Sequence, residues 1–323
     1  MVESGSGAEV ARFATVVVNW NRPTDTVASL ESLRAANPGS PYVVVVDNGS
    51  TDDSVARMIE WAELHKIATN VRKPNAERDA YAPGWLTIIA SETNRGFSGG
   101  NNIGIEFLLH NTDATHWLLL NNDATVAPDF FARIAEAIRQ HPAAGLLTGT
   151  IYHDPERSRV WYAGGKDVPF RGLVEHLHEV PRDRSPQSTE FVTGCAMVVA
   201  AKLEKRIGLL AECYFPGYSE DAEYSRRARD AGFALIYAPA AIAYHKVGAT
   251  AGAAHESPSV LRAQMRHRVY YVRRNFRGLE RVVALVYLAA TKPARALIEV
   301  FKGRPLAARA ILGGTLEGFR NTV

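Results

Sequence analysis

Long apolar runs are missing from this sequence of 323 residues. A helix that crosses a membrane needs about 20 consecutive apolar residues, and the longest candidate run, residues 282–290, is far shorter. Residues 1–9 also lack the basic segment and apolar core of a secretory signal. We therefore expect a cytoplasmic protein that is either soluble or attached to the inner face of the membrane.

Cysteine is scarce as well. Cys195 and Cys213 are the only two cysteines, and they are not arranged with the spacing of a metal site. Free thiols are typical of a reducing compartment, which agrees with a cytoplasmic protein. Apolar residues make up 46% of the chain and charged residues 22%, the ordinary usage of a globular protein. The composition therefore argues against disorder and selects no special class.

Acidic residues are rare toward the C-terminus. From Arg262 onward, many arginines and lysines are accompanied only by Glu280, Glu299 and Glu317. Apolar residues recur there at helical spacing. We predict helices over residues 259–275, 278–288, 294–302 and 306–319. Basic amphipathic helices are typical both of proteins that contact anionic membranes and of helices that pack against protein. Peripheral membrane contact and a homodimer interface are therefore the two alternatives for this region.

The first half of the chain alternates short β-branched runs with helical patterns. Strands are predicted at residues 13–18, 42–46, 86–91 and 115–120, and helices at residues 24–36, 52–65, 94–109 and 129–140. The first of these helices ends at an Asn-Pro-Gly stop, residues 37–39. Repeated strand–helix–strand units predict an α/β fold with a doubly wound, mostly parallel central sheet flanked by helices, followed by a helical C-terminal extension.

The second half is less regular. Residues 152–190 mix proline, glycine, charged and aromatic residues without helical or strand periodicity, and we predict an active-site loop there. Regular structure is expected at residues 191–200, in helices over residues 201–207 and 220–231, and in a strand over residues 234–237.

Polar residues follow four of the predicted strands. Asn19 ends the first strand, Asp47 the second, and the glycine-rich residues 94–102 and the Asn-Asn-Asp run 121–123 follow the next two. In an open parallel sheet, ligands bind beyond the carboxyl ends of the strands. The four segments are therefore expected to meet at one crevice. Each is also compatible with a plain turn, because Asp-Asn-Gly and glycine-rich runs are common connectors.

Carboxylates and a histidine complete the set of candidate chemical groups. Asp123 can bind Mg or Mn, which prefer oxygen ligands, although it can equally cap the following helix. The acidic run at residues 220–223 can supply a base to an acceptor hydroxyl, although acids also stabilise a helix N-terminus, where Glu223 can pair with Arg227. His245 can add an imidazole to a metal.

Taken together, these motifs resemble family 2 glycosyltransferases of the GT-A fold, most closely members of the rhamnosyltransferase type. The resemblance covers residues 12–275 and rests on VVNWN (17–21), VDNGSTD (46–52), NRGFSGGNN (94–102), LLNND (119–123) and EDAE (220–223). It implies a flexible tail (1–11), a catalytic domain (12–258) divided into a nucleotide-sugar half (12–125) and an acceptor half (126–258), and a basic helical region (259–323).

The resemblance also implies roles for individual residues. The nucleotide-sugar donor would be bound by a group of residues at the strand ends, namely Asn19, Asp47, Asn48, Arg95, Gly96, Asn101 and Asn122. Asp123 and His245 would bind the Mg or Mn ion. Where the family usually has Asp-x-Asp, this chain begins the motif with Asn121, a neutral and weaker ligand.

The implied reaction is a single displacement that inverts the anomeric centre. Asp221 would remove the acceptor proton, with Glu220 as the second candidate, and Thr193 and Gly194 would border the acceptor. The cation would neutralise the leaving diphosphate. The donor is expected to be a TDP- or UDP-sugar, with rhamnose as one option, and the acceptor a hydroxyl of a cell-surface glycan or a lipid-linked intermediate.

Other functions remain open from the sequence. One is transfer to a small soluble metabolite, as in natural-product glycosylation. Another is a non-catalytic module that binds nucleotide sugars, in which Asn121 marks a decayed metal site. A nucleotidyltransferase is disfavoured because the chain lacks an early glycine-rich, lysine-bearing phosphate loop. No feature of the sequence indicates nucleic-acid binding.

Overall fold

The computed structural model describes residues 11–36, 42–74, 85–246 and 257–322. The strands are β1 (Phe13–Asn19), β2 (Tyr42–Asn48), β3 (Thr69–Arg72), β4 (Leu86–Ser91), β5 (His116–Asn121), β6 (Ala124–Val126), β7 (Ala144–His153), β8 (Val160–Tyr162), β9 (Gly165–Val168), β10 (Leu173–His176), β11 (Gln187–Ser188), β12 (Ala196–Ala200) and β13 (Ala234–His245). The helices are α1 (Pro23–Ala36), α2 (Ser54–Leu64), α3 (Gly96–Asn111), α4 (Phe130–Gln140), α5 (Ala201–Ile207), α6 (Glu220–Asp230), α7 (Pro258–Asn275), α8 (Gly278–Phe301) and α9 (Pro305–Arg320). Short 3-10 turns lie at Pro169–Arg171 and Glu212–Tyr214. Apart from Ala11, the predicted tail lies outside the described residues, as does the predicted helix stop at residues 37–39.

A sheet of 11 strands forms the centre of the molecule. Its main path runs β11-β13-β7-β12-β5-β1-β2-β4-β3, with β6 beside β13 and β8 beside β7. The five strands from β1 to β5 are mutually parallel where they pair, whereas β12 is antiparallel to both β5 and β7. The predicted α/β fold with a largely parallel central sheet and a helical C-terminal region is confirmed.

Both faces of the sheet are buried, which explains the nearly continuous β-branched runs. Along β2, Val43 and Val45 pack into the apolar cluster on one face, while Val44 and Val46 pack into the cluster on the other. Alternate residues of a strand point to opposite faces. A strand covered on both sides therefore reads as an unbroken apolar run.

The prediction of a loop over residues 152–190 is wrong in its detail. The segment holds β8, β9, β10 and β11, of which β9 and β10 form an antiparallel two-stranded sheet. Each of these strands has two to four residues. Such lengths are too short for an alternating pattern to stand out in the sequence.

The last strand is longer than predicted. β13 continues past residue 237 to His245 and pairs with β7 over most of its length, with a register shift between Ala238 and Ile242. Pro239 lies in this irregularity, where a strand tolerates a residue that cannot donate a backbone hydrogen bond. Pro239 therefore marks an irregularity inside the strand, and β13 continues beyond it to His245.

The C-terminal helices also differ from prediction in one respect. The two helices expected at residues 278–288 and 294–302 form the single helix α8, with Pro293 in its interior. The proline leaves the carbonyl four residues earlier without its helical donor, and both Pro293 and Ala289 lie on the exposed side of α8. Water can therefore satisfy that carbonyl. The boundary at residue 258/259 between a catalytic domain and this region stays a prediction.

Candidate active site

The site lies where the strand order of the parallel sheet reverses. From β1 the chain first adds β2 and β4 on one side, and then returns to place β5 on the other side of β1. Ligands in open α/β sheets bind at such a switch point, beyond the carboxyl ends of the strands. Asn19 at the end of β1 and Asn121 at the end of β5 flank it, with Val18 paired to Asn121.

A buried hydrogen-bond chain connects the ends of β1, β2 and β5. Asp47 Oδ1 accepts from Asn19 Nδ2 at 2.7 Å and from Ser50 Oγ at 2.6 Å. Thr26 Oγ1 donates to Asn19 Oδ1 at 2.7 Å and accepts from Asn122 Nδ2 at 3.3 Å. The structure thus brings together three of the predicted donor-binding residues, Asn19, Asp47 and Asn122.

Asn48 anchors the glycine-rich segment to the end of β2. Its Oδ1 accepts from the Arg95 backbone amide at 3.0 Å, and its Nδ2 donates to the Gly96 carbonyl at 3.0 Å. Gly96 has a φ of +70°, and a Cβ there would lie 2.8 Å from the Pro216 carbonyl oxygen. Glycine is therefore required where this segment passes the loop that precedes α6. Asn48 therefore holds the backbone of the glycine-rich segment in this shape.

Arg95 and Asn101 occupy different surroundings. The Arg95 guanidinium is about half exposed and contacts Glu212 Oε2 at 2.8 Å, so it remains accessible to an anionic ligand. Asn101 is buried and donates from Nδ2 to the Phe97 carbonyl of its own helix at 2.9 Å. Within the described residues, no hydrogen bond joins Asn101 to the chain around Asp47. Its predicted donor contact stays a prediction.

The predicted metal ligands Asp123 and His245 are in contact. Pairing of β13 with β6 sets His245 opposite Ala124, and His245 Nε2 lies 3.1 Å from Asp123 Oδ1. Burial of His245 lowers its pKa, but Cys195 and Asp123 outweigh burial and raise that pKa to about 10. A cation bound here would require the neutral imidazole, because histidine binds metals in its neutral form.

These two residues suit a cation whose other ligands come from the substrate. Within the described ranges, no group of three or more His, Cys, Asp or Glu is placed to hold a metal ion. Mg typically takes one or two carboxylates from the protein and further oxygens from phosphates and water. The buried Asp123 carboxylate fits that pattern, with His245 beside it. The Asn121 side chain is only partly buried next to them.

Asp221 and Glu220 begin α6 in different environments. Asp221 Oδ2 accepts from the Gly194 backbone amide at 3.0 Å. Burial raises the pKa of Asp221, and the amides of Gly194 and Ala222 lower it in part. Burial and the charge of Asp221 raise the pKa of Glu220 well above its usual range. Glu220 Oε2 is buried without a hydrogen-bond partner among the described residues. Glu220 is thus held protonated, which leaves Asp221 as the better base.

The turn at residues 193–195 joins the segment that carries Asp221 to the strand end before Asp123. Gly194 contacts Asp221, and the Cys195 carbonyl accepts from the Asn121 amide at 3.0 Å. A Cβ on Gly194 would lie 2.9 Å from the Phe97 ring of the glycine-rich segment. Thr193 is buried beside them. The segments around residues 97, 121, 194 and 221 therefore meet at one place.

The backbone before α6 is strained. Tyr218 and Ser219 both have left-handed conformations, with φ of 79° and 75°. Such residues cost about 1–3 kcal/mol each and persist where surrounding contacts hold them. The His267 ring supplies one such contact, with Nδ1 2.9 Å from the Gly217 carbonyl. With this backbone conformation, the N-terminus of α6 lies against the turn at Gly194.

Several contacting residues were not singled out from the sequence. Trp161 packs its ring edge-to-face on His245, with ring centroids 4.7 Å apart, and it lies in the segment without periodicity. Glu212, the partner of Arg95, stands in a 3-10 turn that no sequence signal marked. Ser50 and Asn94 lie inside the recognised motifs, so their roles could have been found there.

A solved structure and two curated relatives are similar to this chain. The mannosyltransferase PcManGT from Pyrobaculum calidifontis, in complex with GDP-Man and Mn2+, superposes with a TM-score of 0.54 at 16% identity, covering 97% of this chain and 88% of that one. The uncharacterized protein y4gI of Sinorhizobium fredii is 26% identical over 261 residues, which is 77% of this chain and 26% of the relative. The low-salt glycan biosynthesis hexosyltransferase Agl10 of Haloferax volcanii is 23% identical over 219 residues, 67% of this chain.

These likenesses define the fold and the family. The chain spans about a quarter of the length of y4gI and 61% of the length of Agl10. The likeness to PcManGT shows that the fold is GT-A. The sequence profile of Glycosyl transferase family 2 matches residues 15–207, which is more than half of the chain. The chain belongs to glycosyl transferase family 2.

Proposed function

We propose that this glycosyltransferase moves a sugar from a nucleoside-diphosphate donor to an acceptor hydroxyl with inversion of the anomeric centre. The observation that carries the proposal is the turn at residues 193–195. It bonds to the candidate base Asp221 on one side and to the strand end before Asp123 on the other. A base and a diphosphate site joined by one turn suit a displacement in which the acceptor and the leaving group lie on opposite sides of the sugar.

Different residues of this chain would bind the donor and accept the acceptor proton. Asn19, Asp47 and Asn122 form the pocket for the nucleoside, and the segment around Arg95 and Gly96 lines the diphosphate. Asp221 accepts the proton of the attacking hydroxyl at a carboxylate oxygen, and the Gly194 amide holds that carboxylate in place. Glu220, held neutral, avoids placing a second negative charge beside it.

Asp123 and His245 are the residues that would hold a Mg or Mn ion. When bound, such an ion supplies positive charge to the diphosphate as it departs. PcManGT, of the same fold, is described in complex with Mn2+, which supports a divalent metal here. Asn121 contributes no charge, so we expect metal affinity to depend on Asp123.

The finer identity of the substrates follows the motif resemblance. We propose a TDP- or UDP-sugar as the donor, with rhamnose as one option, and a growing cell-surface glycan or lipid-linked intermediate as the acceptor. Agl10 is described as a hexosyltransferase of glycan biosynthesis, which supports a glycan acceptor. A small soluble acceptor is the alternative. A non-catalytic binding module is disfavoured, because Asp123, His245 and Asp221 are all in place.

The test is donor turnover across UDP-, TDP- and GDP-sugars with Mg or Mn. We expect slow hydrolysis of one nucleotide class, with metal, and release of a sugar whose anomeric configuration, read by NMR before mutarotation, is opposite to that of the donor. Asp129→Ala, at an exposed ion pair outside the crevice, is the matched control and should retain wild-type turnover. A product of retained configuration, or no turnover with any donor, would contradict the proposal.

A further inference from the structure

Helices α8 and α9 carry many exposed apolar side chains. Two of the most exposed are Leu279 and Phe301, at 78% and 83%. The buried positions of α8 recur every three to four residues on the opposite side, from Ala284 to Glu299. The exposed apolar residues are Leu279, Val282, Val283, Val286, Leu297, Ile298, Val300 and Phe301 of α8 and Leu306, Leu312 and Leu316 of α9. These residues are called the α8–α9 face below.

The charges around the α8–α9 face are almost all positive. The exposed charged residues of the two helices and their ends are Arg281, Arg295, Lys302, Arg304, Arg309 and Arg320. Arg309 and Arg320 lie three or four residues from Leu312 and Leu316, on the same side of α9. Each acidic residue of the two helices is engaged by an arginine. Glu280 contacts Arg226 at 3.1 Å, Glu299 contacts Arg304 at 3.0 Å, and Glu317 accepts from Arg262. The face therefore combines apolar side chains with cationic charge that its own acids do not fully neutralise.

A second positive cluster lies at the inner edge of α8. Lys292 is 5% exposed, and among the described residues it forms no ion pair with an acid. Burial lowers its pKa to about 7, together with the charges of Arg268, Arg295 and Arg171. Arg268 donates to the Arg171 carbonyl at 3.1 Å, which fixes the two segments together. Arg171 also pairs with Glu175 at 2.5 Å. An anionic group placed here would relieve the repulsion among these cations.

We propose that the α8–α9 face docks on the surface of an anionic lipid membrane. Its apolar side chains would enter the boundary between head groups and acyl chains, and its arginines would contact lipid phosphates. Among the described helices, none is long and apolar enough to cross a bilayer. The proposed contact is with the membrane surface.

Charge favours a membrane over a second copy of the chain. In a symmetric dimer the same patch meets itself, which would bring Arg309 and Arg320 of one copy close to the arginines of the other. The acids near the face are already paired, so none is free to offset that repulsion. Phosphate head groups supply the opposite charge that the face lacks.

The α8–α9 face is physically connected to the candidate active site. Gly314 of α9 lies so close to α7 that a Cβ would reach within 2.1 Å of the Arg262 carbonyl oxygen. On α7, the His267 ring contacts the Gly217 carbonyl before Asp221. A membrane-bound enzyme would thus present its acceptor side at a fixed position relative to the lipid. That consequence for the acceptor rests on the proposed function, whereas docking itself does not.

Flotation of the full chain with lipid vesicles tests the proposal. The vesicles are phosphatidylcholine alone or phosphatidylcholine mixed with phosphatidylglycerol. Val286→Ser combined with Phe301→Ser removes apolar contacts, and Leu64→Ser, at a residue 79% exposed on α2, is the matched control. Arg309→Gln combined with Arg320→Gln removes charge, with Arg57→Gln on α2 as its control. Circular dichroism checks that every variant is folded.

We expect the wild type to float with the anionic vesicles and to be released by salt. The apolar double variant should bind at least about tenfold more weakly for each side chain, and the arginine double variant roughly fivefold more weakly for each charge. Both controls should float like the wild type. Absence of flotation, or equal flotation of all variants, would overturn the proposal. Light scattering that shows a dimer lost in the apolar double variant, without flotation, would assign the face to a second copy and also overturn it.

Donor hydrolysis is measured on the same preparations. A protein that hydrolyses donor and does not float contradicts docking alone. A protein that floats and hydrolyses no donor supports docking and contradicts the proposed function. The two proposals therefore fail separately.

Discussion

At the scale of single residues, the two neighbouring carboxyl groups of α6 are distinguished by their contacts. Asp221 accepts hydrogen bonds from the Gly194 and Ala222 amides, whereas the Glu220 Oε2 atom has no such partner among the residues described. Hydrogen bonds to a carboxylate favour its charged form, and burial disfavours it. Burial therefore raises the pKa of both carboxyl groups, and the hydrogen bonds to Asp221 counteract that rise for Asp221.

Asp221→Asn tests the assignment of the base. The amide keeps the size of the side chain and cannot accept the acceptor proton, so we expect kcat to fall by about 10²- to 10⁴-fold with little change in donor affinity. Steady-state kinetics and a donor thermal-shift titration measure the two effects. Asp230→Asn, at the exposed end of the same helix, is the control. Near-normal turnover of Asp221→Asn would show that Asp221 is not the base.

Glu220 should make stability depend on pH. Its pKa is raised on folding, so the folded state holds a proton that the unfolded chain releases above about pH 4.3. The stability gained from this group is complete below that pH and is lost as pH rises through the raised pKa. The glutamine side chain of the Glu220→Gln variant is neutral at every pH. The melting temperature of this variant should therefore match that of the wild type in acid and exceed it at neutral and alkaline pH.

Thermal denaturation as a function of pH checks this prediction. Glu60→Gln, at an exposed position of α2, should leave the wild-type pH dependence unchanged. Parallel curves for Glu220→Gln and wild type across the whole range would contradict the protonated state of Glu220.

At the scale of secondary structure, the segments that carry chemistry were the easiest to predict. Asp47, Gly96 and Asp123 stand at strand ends or helix starts, where polar and glycine residues interrupt apolar runs. β4 was predicted with its observed bounds, Leu86–Ser91. The short strands β8 to β11 and the continuation of β13 past Pro239 were missed, because long-range pairing with other strands determines them more than local pattern does.

Gly96→Ala tests how the glycine-rich segment, residues 94–102, is joined to the loop before α6. The substitution places an alanine in a left-handed conformation and a Cβ 2.8 Å from the Pro216 carbonyl oxygen. The left-handed conformation alone costs an alanine roughly 1–2 kcal/mol. We therefore expect the free energy of unfolding to fall by more than that amount. Gly232→Ala provides the comparison, since its φ is +86° and nothing lies within 4 Å of its Cβ position. Urea unfolding measures both. Equal losses would show that the contact with Pro216 is unimportant.

At the scale of the whole molecule, the sequence predicted the central sheet, and ligand binding at its crevice stays a prediction. The alternation of strands and helices sufficed for the parallel part, and the switch point between β1 and β5 explains why Asn19, Asp47 and Asp123 converge. The motif order predicted that Asp221 joins them. The turn around Gly194 as the connecting element, and Trp161 against His245, depend on antiparallel strands and packing that one sequence does not display.

The C-terminal helices are fixed to the rest of the molecule by buried charges. The Asp167 carboxylate is almost fully buried and is engaged by Arg226, Arg229 and the Tyr271 hydroxyl, the last at 3.2 Å. Arg226 also contacts Glu280 of α8. Breaking a buried pair by removing one partner typically costs about 3–5 kcal/mol. This cluster therefore couples α6, α7 and α8 to β9.

The most direct test of the central claim is calorimetric titration of nucleoside diphosphates into the wild type and Asp123→Ala, with and without Mn. The account predicts tight binding of one nucleotide by the wild type only when Mn is present, and loss of that dependence in Asp123→Ala. Asp129→Ala should titrate like the wild type. Metal-independent binding that Asp123→Ala leaves unchanged, or no nucleotide binding under any condition, would contradict a metal-assisted transferase at this crevice.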